Sequence, residues 1–415
     1  MNSWDCFDTL IARKFITPES IFEEVGKRID DPTFVQRRKL AEKNTTIKTY
    51  GNIYKNLSDV DSSIELDVEF EHVIPISKNI RQVENGDYVV SDMYLPKEFI
   101  LKLLKKCGLT KKINLIVTPS GKKEGTVWNY VSNIDNHFGD NKKTDVRSPR
   151  KKGINGIHVT DSQLNEIEKI VYESNKNLAS LMRTIRLSSP YDDEHRNKIW
   201  IDQANLNVPI LILGSLALPN NKTICFNYRD CIYWRQIYTA LFNKKSTVLH
   251  SSRKYYLFPT QEYKEYVAST LRDEVLVDLK GSGKSPNVFF KNKQSVIYLV
   301  GTKLQQPNKS LITPGKWKDA IERLNLPNIG PIVDCKNQKI YRGESEHDPE
   351  IVAVQEKAIN YACELLNQFN FDSDTHLLEE LVSYAKTSYT NKAVNTLYST
   401  KTTIVVDGKT VNVNY

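Results

Sequence analysis

Short apolar runs that stop at polar or glycine-containing turns recur along the chain, alternating with stretches whose apolar residues fall three and four apart. The first kind reads as buried strands and the second as amphipathic helices. Residues 3–11 predict a short buried strand running into a loop, and Tyr88-Val89-Val90 a second strand ending at Ser91-Asp92. Ile113 to Thr118 predicts a third strand, and Ile100 to Cys107 a helix closed by Gly108. A further helix is expected over Thr126 to Ile134, before a loop that opens at His137-Phe138-Gly139-Asp140. Thr17-Pro18-Glu19-Ser20 has the form of a helix start, with Thr17 as N-cap, and from there to about Ser77 the pattern is helical and rich in charge.

A long helical stretch over about Ser162 to Ile185 then leads to a polar turn, after which the alternation resumes. Strands are expected at Thr223–Tyr228, Ser246–His250, Glu274–Asp278 and Ser295–Gly301, with helices running to about Leu241 and around Glu262–Leu271. Strands alternating with helices argue for α/β domains built on parallel sheets, whose chemistry gathers at the carboxyl ends of the strands. A chain of 415 residues is long enough for two or three such domains.

Composition adds boundaries. Hydrophobic residues at 40% and charged residues at 26% exclude a disordered or fibrous chain. The longest apolar run, Val208 to Leu218, is broken by Pro209 and Gly214 and falls short of the roughly 18 residues a membrane helix needs. Cys6, Cys107, Cys225, Cys231, Cys335 and Cys363 form no CxxC pair and no zinc-ligand spacing. Reduced thiols, and an opening Met-Asn-Ser-Trp-Asp with no leader pattern, lead us to expect a cytoplasmic location. The net charge of +8 is mild for this length; it suits an anionic substrate and makes nucleic acid the least favoured partner.

Four fragments share one chemical theme. Asp5-Cys6-Phe7-Asp8-Thr9-Leu10 offers carboxylates, Ser91 a hydroxyl, Ser120-Gly121-Lys122-Lys123-Glu124-Gly125 a cation, and Gly139-Asp140-Asn141 with Asp145 two further acids. Phosphoryl transfer through a covalent enzyme intermediate needs such a set: a nucleophile, metal-holding carboxylates, and donors for phosphate oxygens. In this order the fragments resemble the haloacid dehalogenase (HAD) superfamily, in the branch whose first motif reads D-x-F-D-T-L, over roughly residues 1–160. The resemblance implies a Rossmann-like domain with a helical cap at about 14–86. It makes Asp5 the nucleophile, and gives Ser91, Asp92, Lys122 and Lys123 to the phosphate, with Lys122 favoured over Lys123 as the charge stabiliser. Mg²⁺ would be held by Asp5, the Phe7 carbonyl, Asp140 and Asp145.

One position departs from the family. Most of its phosphatases carry a second Asp two residues after the nucleophile, as general acid/base; here that position is Phe7, and the carboxylate is Asp8. A one-residue shift along a strand end reverses the side chain's face unless the backbone turns there. If Asp8 is misplaced, good leaving groups should be favoured. In the cap region Glu65, Asp67, Glu69 and Glu71, with His72, alternate with apolar residues, and they are read as a solvated acidic face without a role. His137 is read as a structural hydrogen-bonding group.

The loop Asp278-Leu279-Lys280-Gly281-Ser282-Gly283-Lys284-Ser285 follows a predicted strand and offers backbone amides to an anion. It lacks the first glycine of a P-loop, and Pro286 is a poor continuation for the long helix a P-loop opens. It is similar to the phosphate loop of type I phosphoribosyltransferases, a resemblance covering about residues 200–305. Arg229, Asp230 and Arg253, at the two preceding strand ends, complete that reading or form an ion pair at the sheet edge; another Rossmann-like domain stays open.

The expected organisation is a HAD-like domain at 1–160, a helical linker at 161–190, a second parallel α/β, phosphoribosyltransferase-like domain at 191–370, and an appendage at 371–415. The expected function is a Mg²⁺-dependent phosphohydrolase acting on a small phosphorylated metabolite (a nucleotide, ribose or sugar phosphate), with a second phosphate- or nucleotide-binding domain. Two alternatives stand beside it: a bifunctional phosphatase–phosphoribosyltransferase, and a nucleotide-binding sensor with little hydrolysis. A polynucleotide kinase–phosphatase ranks last.

Overall fold

The computed structural model describes residues 1–312, 320–389, 401–406 and 409–414, with side chains as far as residue 387. The chain divides into two compact units, Met1–Asn165 with Arg186–Asp192, and Glu166–Ile185 with Asp193–Tyr415. The stretch expected as a linker at 161–190 is thus shared between them. It is two helices, Glu166–Ser174 and Lys176–Leu187, and all but the end of the second belongs to the second unit.

Seven strands belong to the first unit: β1 (Asn2–Trp4), β2 (Ile11–Arg13), β3 (Val73–Pro75), β4 (Tyr88–Asp92), β5 (Asn114–Thr118), β6 (Asn136–Gly139) and β7 (Asn155–His158). Five of them form a parallel sheet in the order β5-β4-β1-β6-β7. Central β1 is only three residues long, yet Trp4 pairs with Val89 and Phe138 and stacks on the Phe138 ring at 4.2 Å. The helix Lys97–Lys106 covers the sheet through Ile100, Leu103 and Leu104. Glu98 is in its first turn and Lys105 and Lys106 are in its last, matching the helix dipole. Thr126–Ile134 is not the expected helix. Gly125 at φ +78° ends the short helix Gly121–Glu124, and only a turn of 3₁₀ helix, Val127–Asn129, follows.

The antiparallel ribbon β2–β3 frames an insertion of four helices, Glu19–Arg28, Phe34–Asn44, Tyr50–Lys55 and Ser63–His72. The first begins after Pro18, one residue later than the Thr17 cap would give, and Pro18 stands at the N-cap position. The acidic cluster lies on the fourth helix, and only part of it is a solvated face: Asp67 and Glu71 are exposed. Glu65 and Glu69 are buried while Phe70 is exposed. The carboxylates turn inward because cations wait there. Glu65 accepts from Arg38 at 2.7 and 3.1 Å, from Tyr54 at 2.8 Å and from Tyr94 at 3.2 Å; Glu69 accepts from Arg13 at 2.8 Å. Arg38 is itself fully buried and stacks on Phe22 and Tyr94.

In the second unit β8 (Ile224–Tyr228), β9 (Thr247–His250), β10 (Val275–Gly281), β11 (Val296–Gly301) and β12 (Lys309–Ile312) form a second parallel sheet, ordered β12-β11-β10-β8-β9. A hairpin, β13 (Ile332–Lys336) and β14 (Lys339–Arg342), follows. The longest apolar run is the helix Val208–Leu216, buried on all sides, where Gly214 leaves room for Leu299. The segment from 371 is more than an appendage. The helix Thr375–Tyr389 buries Leu377, Leu378, Leu381, Val382 and Ala385, and an antiparallel ribbon, β15 (Lys401–Val406) with β16 (Lys409–Asn414), ends the chain. Residues 390–400, 407–408 and 415 of that segment lie outside the described residues.

Removing one partner of a buried ion pair leaves the other charge uncompensated. Glu65→Ala should therefore cost roughly 3–5 kcal/mol of unfolding free energy, and Arg38→Met/Glu65→Leu should recover most of it, as read by denaturant unfolding.

Candidate active site

In the first sheet the strand order reverses between β1 and β6, and in such sheets ligand sites form beyond the carboxyl ends of the strands at that point. Asp5 comes directly after β1, its amide donating to the Phe138 carbonyl at 2.7 Å. The loop then folds back tightly: Leu10 and Ile11 both donate to the Cys6 carbonyl, and Asp8 takes the left-handed conformation at φ +58°. Asp tolerates that region better than most residues. The backbone turn on which Asp8's placement depended is therefore present, and the charge of Asp8 is among those that bear on Asp140, Arg13 and Glu69. The Phe7 ring lies under the Arg13 guanidinium, 4.6 Å from the ring centre.

Lys122 comes from the first turn of Gly121–Glu124, beyond β5. The Asp92 carboxylate, from the end of β4, accepts from the Lys122 and Lys123 amides at 2.9 and 3.1 Å. Asp92 thus sets the position of Lys122 and offers no donor of its own to a phosphate. Lys122 is buried and donates to Asp5 and, at 2.7 Å, to Asp145. Lys123 is exposed and lines a different cleft. Ser91 is buried at the end of β4, on the strand beside β1.

Asp145 projects from the π-helical segment Lys142–Arg147 after β6. It accepts from the Asn141 amide at 3.0 Å and the Thr144 hydroxyl at 3.2 Å, and meets His137 Nε2 at 3.2 Å. A Cβ on Gly139 would fall 2.4 Å from that of Asp145, so glycine is required at that position. His137 is fully buried, and burial lowers its pKa, which keeps it neutral. An ionised carboxylate only accepts, so Nε2 carries the proton and Nδ1 accepts from the Ser3 hydroxyl at 2.7 Å. The structural role expected of His137 is the one the geometry gives it.

One oxygen from each of Asp5, Asp140 and Asp145 lies within 4.8 Å of the others. Burial raises the Asp5 pKa to about 7; Lys122 opposes this, and Asp145 and Asp140 add to it. Burial works the same way on Asp145, but the hydrogen bond from His137 and the charge of Lys122 outweigh it and hold the pKa at about 2. Asp140 is raised by burial, then by Asp8 and Asp145. Three carboxylates face one ammonium, so the pocket is short of positive charge, and its all-oxygen donors suit a hard divalent cation such as Mg²⁺.

The second unit holds a separate cleft of about 560 Å³ at the ends of β8, β9 and β10. It too lies where a strand order reverses, between β8 and β10. Every residue singled out there from sequence lines it: Arg229, Asp230, Arg253, Asp278 and the 281–285 loop. Arg229, at φ +118°, pairs with Asp230 at 2.9 Å. Gly283, at φ +79°, sits where a Cβ would strike Asn308. The following helix, Lys284–Phe290, is only seven residues long and holds Pro286 in its first turn, which removes the P-loop reading. Burial, then Asp230, raises the Asp278 pKa to about 7. Sequence reasoning missed Arg342 of β14, which reaches this cleft while held by His250 and the Gly330 carbonyl. No local signal marks it.

No family model matches the chain, and no curated protein matches it.

Two outcomes follow from these charges. Mg²⁺ at about 100 times its Kd should stabilise the native chain by about 2.7 kcal/mol and do much less for Asp140→Asn, read as melting temperature in calorimetry. Asp278 ionises near its ordinary 3.8 when unfolded and near 7 when folded, so it removes stability as pH rises through that window. Asp278→Asn should accordingly melt higher than the parent at pH 8, with the gain vanishing near pH 4.

Proposed function

We propose that the first unit is a phosphohydrolase of the HAD type that acts through an aspartyl-phosphate on Asp5. The observation that carries this reading is the convergence of Asp5, Asp140 and Asp145 with Lys122 at the carboxyl edge of a parallel sheet. Asp5, Asp140 and Asp145 would hold Mg²⁺, joined by the Phe7 carbonyl on the strength of the motif alone; the ion would supply charge neutralisation for the transferring phosphoryl group. An Asp5 oxygen attacks phosphorus and the bond to the leaving oxygen breaks. Asp8, on its turn beside Asp140, gives that oxygen a proton. Water then attacks the aspartyl-phosphate, returns its proton to Asp8, and frees inorganic phosphate and Asp5. Lys122 offsets negative charge in both steps, and the Ser91 hydroxyl offers a donor to the phosphoryl oxygens.

The substrate class is a small phosphorylated metabolite such as a nucleotide, ribose or sugar phosphate. The second unit supports a phosphate- or nucleotide-binding partner domain. Its reversal-point cleft, with the Ser282-Gly283-Lys284-Ser285 loop beside Arg253, favours a bifunctional phosphatase–phosphoribosyltransferase as the second reading. The sensor reading draws on Phe7, which turns its ring to Arg13 where the family has an acid.

Phosphate release from a panel of phosphorylated metabolites, with and without Mg²⁺, tests the main reading. Asp5→Asn should abolish turnover while melting normally with the Mg²⁺-free protein. Asp8→Asn should slow hydrolysis by about 10²–10⁴-fold, most for poor leaving groups. Full turnover by Asp5→Asn overturns the proposal, and binding without turnover of any compound favours the sensor.

A further inference from the structure

The first unit carries a second cleft, of about 490 Å³, that the catalytic reading does not use. Lys123, Lys143, Arg147, Lys151 and Lys152 line it. Glu124 is the one acid among its lining residues, and it already accepts from the Ser120 hydroxyl at 2.7 Å. All five basic residues are exposed, and among the described residues none of them is in an ion pair. Surface cations usually find acidic neighbours, so five of one sign around one concavity create a local positive field that a net charge of +8 spread over 415 residues does not suggest.

An exposed aromatic residue follows the cleft lining directly in the chain. Asn129 lines it and accepts from Lys152 at 3.1 Å, and the next residue, Tyr130, is 78% exposed. A turn fixes its backbone, the Tyr130 amide donating to the Val127 carbonyl at 3.0 Å. A large ring in open water, one residue along the chain from a cation-lined cleft, suits the pairing that single-stranded nucleic acid uses, with phosphates along the cations and an unpaired base on the ring. A duplex keeps its base faces stacked and has none to offer.

We infer that this cleft binds the backbone of a single-stranded nucleic acid, with Tyr130 as its stacking platform. The inference rests on the surface of the first unit and stands whether or not Asp5 is a nucleophile. Its position adds a consequence. Lys123 follows Lys122, and Lys143 and Arg147 flank Asp145, so a bound strand lies along the segments that carry the acidic centre.

Fluorescence anisotropy of a labelled oligothymidylate with the full chain, titrated at several salt concentrations, tests this by binding alone. Lys143→Glu/Arg147→Glu/Lys151→Glu should weaken binding at least tenfold. The Gln triple should lower the salt slope by about 2, at about 0.7 for each phosphate left without its cation. Tyr130→Ala should weaken binding about 5- to 150-fold at unchanged salt slope. Lys97→Glu/Lys102→Glu/Lys105→Glu, the same charge change on the exposed face of another helix, should have a much smaller effect. Circular dichroism melting checks folding, and the Gln triple replaces the Glu triple if the latter melts low. Equal weakening in the control triple, or a silent Tyr130→Ala with heparin bound as well as the oligonucleotide, overturns the inference in favour of a general polyanion surface.

Discussion

The first unit is organised around an unbalanced charge. Asp5, Asp140 and Asp145 meet in a largely buried pocket with one ammonium, Lys122, between two of them. Carboxylates taken out of water repel each other strongly, and such a cluster is kept only if something fixes it and something neutralises it. Fixing it accounts for several otherwise unrelated features. Asp92 anchors the turn that presents Lys122, Gly139 makes room for Asp145, and the chain Ser3–His137–Asp145 holds that carboxylate ionised. Neutralising it is left incomplete by the protein. Asp5 pushed up to about 7 beside Asp145 held at about 2 expresses the deficit, which a proton or a divalent ion would fill.

Strand ends were the legible part of the sequence. A buried parallel strand is apolar for its few residues and turns polar where it leaves the sheet, so Asp5 and Ser91 stood out; Asp140 stood out only by its motif, in a stretch that the pattern gave as a loop and that is the end of β6. The same logic located Arg229, Arg253 and Asp278 in the second unit, and there all of them line one cleft. The illegible part had a common cause, long-range partners overriding local pattern. Glu65 and Glu69 read as solvated because acids usually are, yet Arg38 and Arg13, distant in sequence, draw them inside. Arg342 reaches the second cleft from a hairpin that no local motif ties to it. Thr126 to Ile134 failed as a helix for a local reason, since Gly125 and Asn133 both take positive φ at its ends.

Charge was the least legible quantity. A composition count cannot register that Lys123 and Lys143 to Lys152 come together on one surface, because the excess belongs to a shape rather than to a stretch of chain. The buried arginines are the counter-example. Arg38 and Arg13 add to the same count but are cancelled by the buried Glu65 and Glu69 of the four-helix insertion, which leaves them little reach into solvent. Two equal formal charges can thus differ entirely in what they present to a ligand.

The Asp8 turn shows how one backbone angle decides between chemistries. On an extended strand Asp8 would face away from Asp5, and Phe7 would share the side of Asp5. At φ +58° the chain instead reverses at Asp8, its amide donates to the Ile11 carbonyl, and its carboxylate comes within electrostatic reach of Asp140. Phe7 is released to lie under Arg13, which is itself held by Glu69. The ring of Phe7 and the acid of Asp8 are then a single arrangement: the ring lies under Arg13, and the turn brings a carboxylate within electrostatic reach of Asp140. The tightness of that turn, rather than the order of the letters, is what would give the chain a general acid.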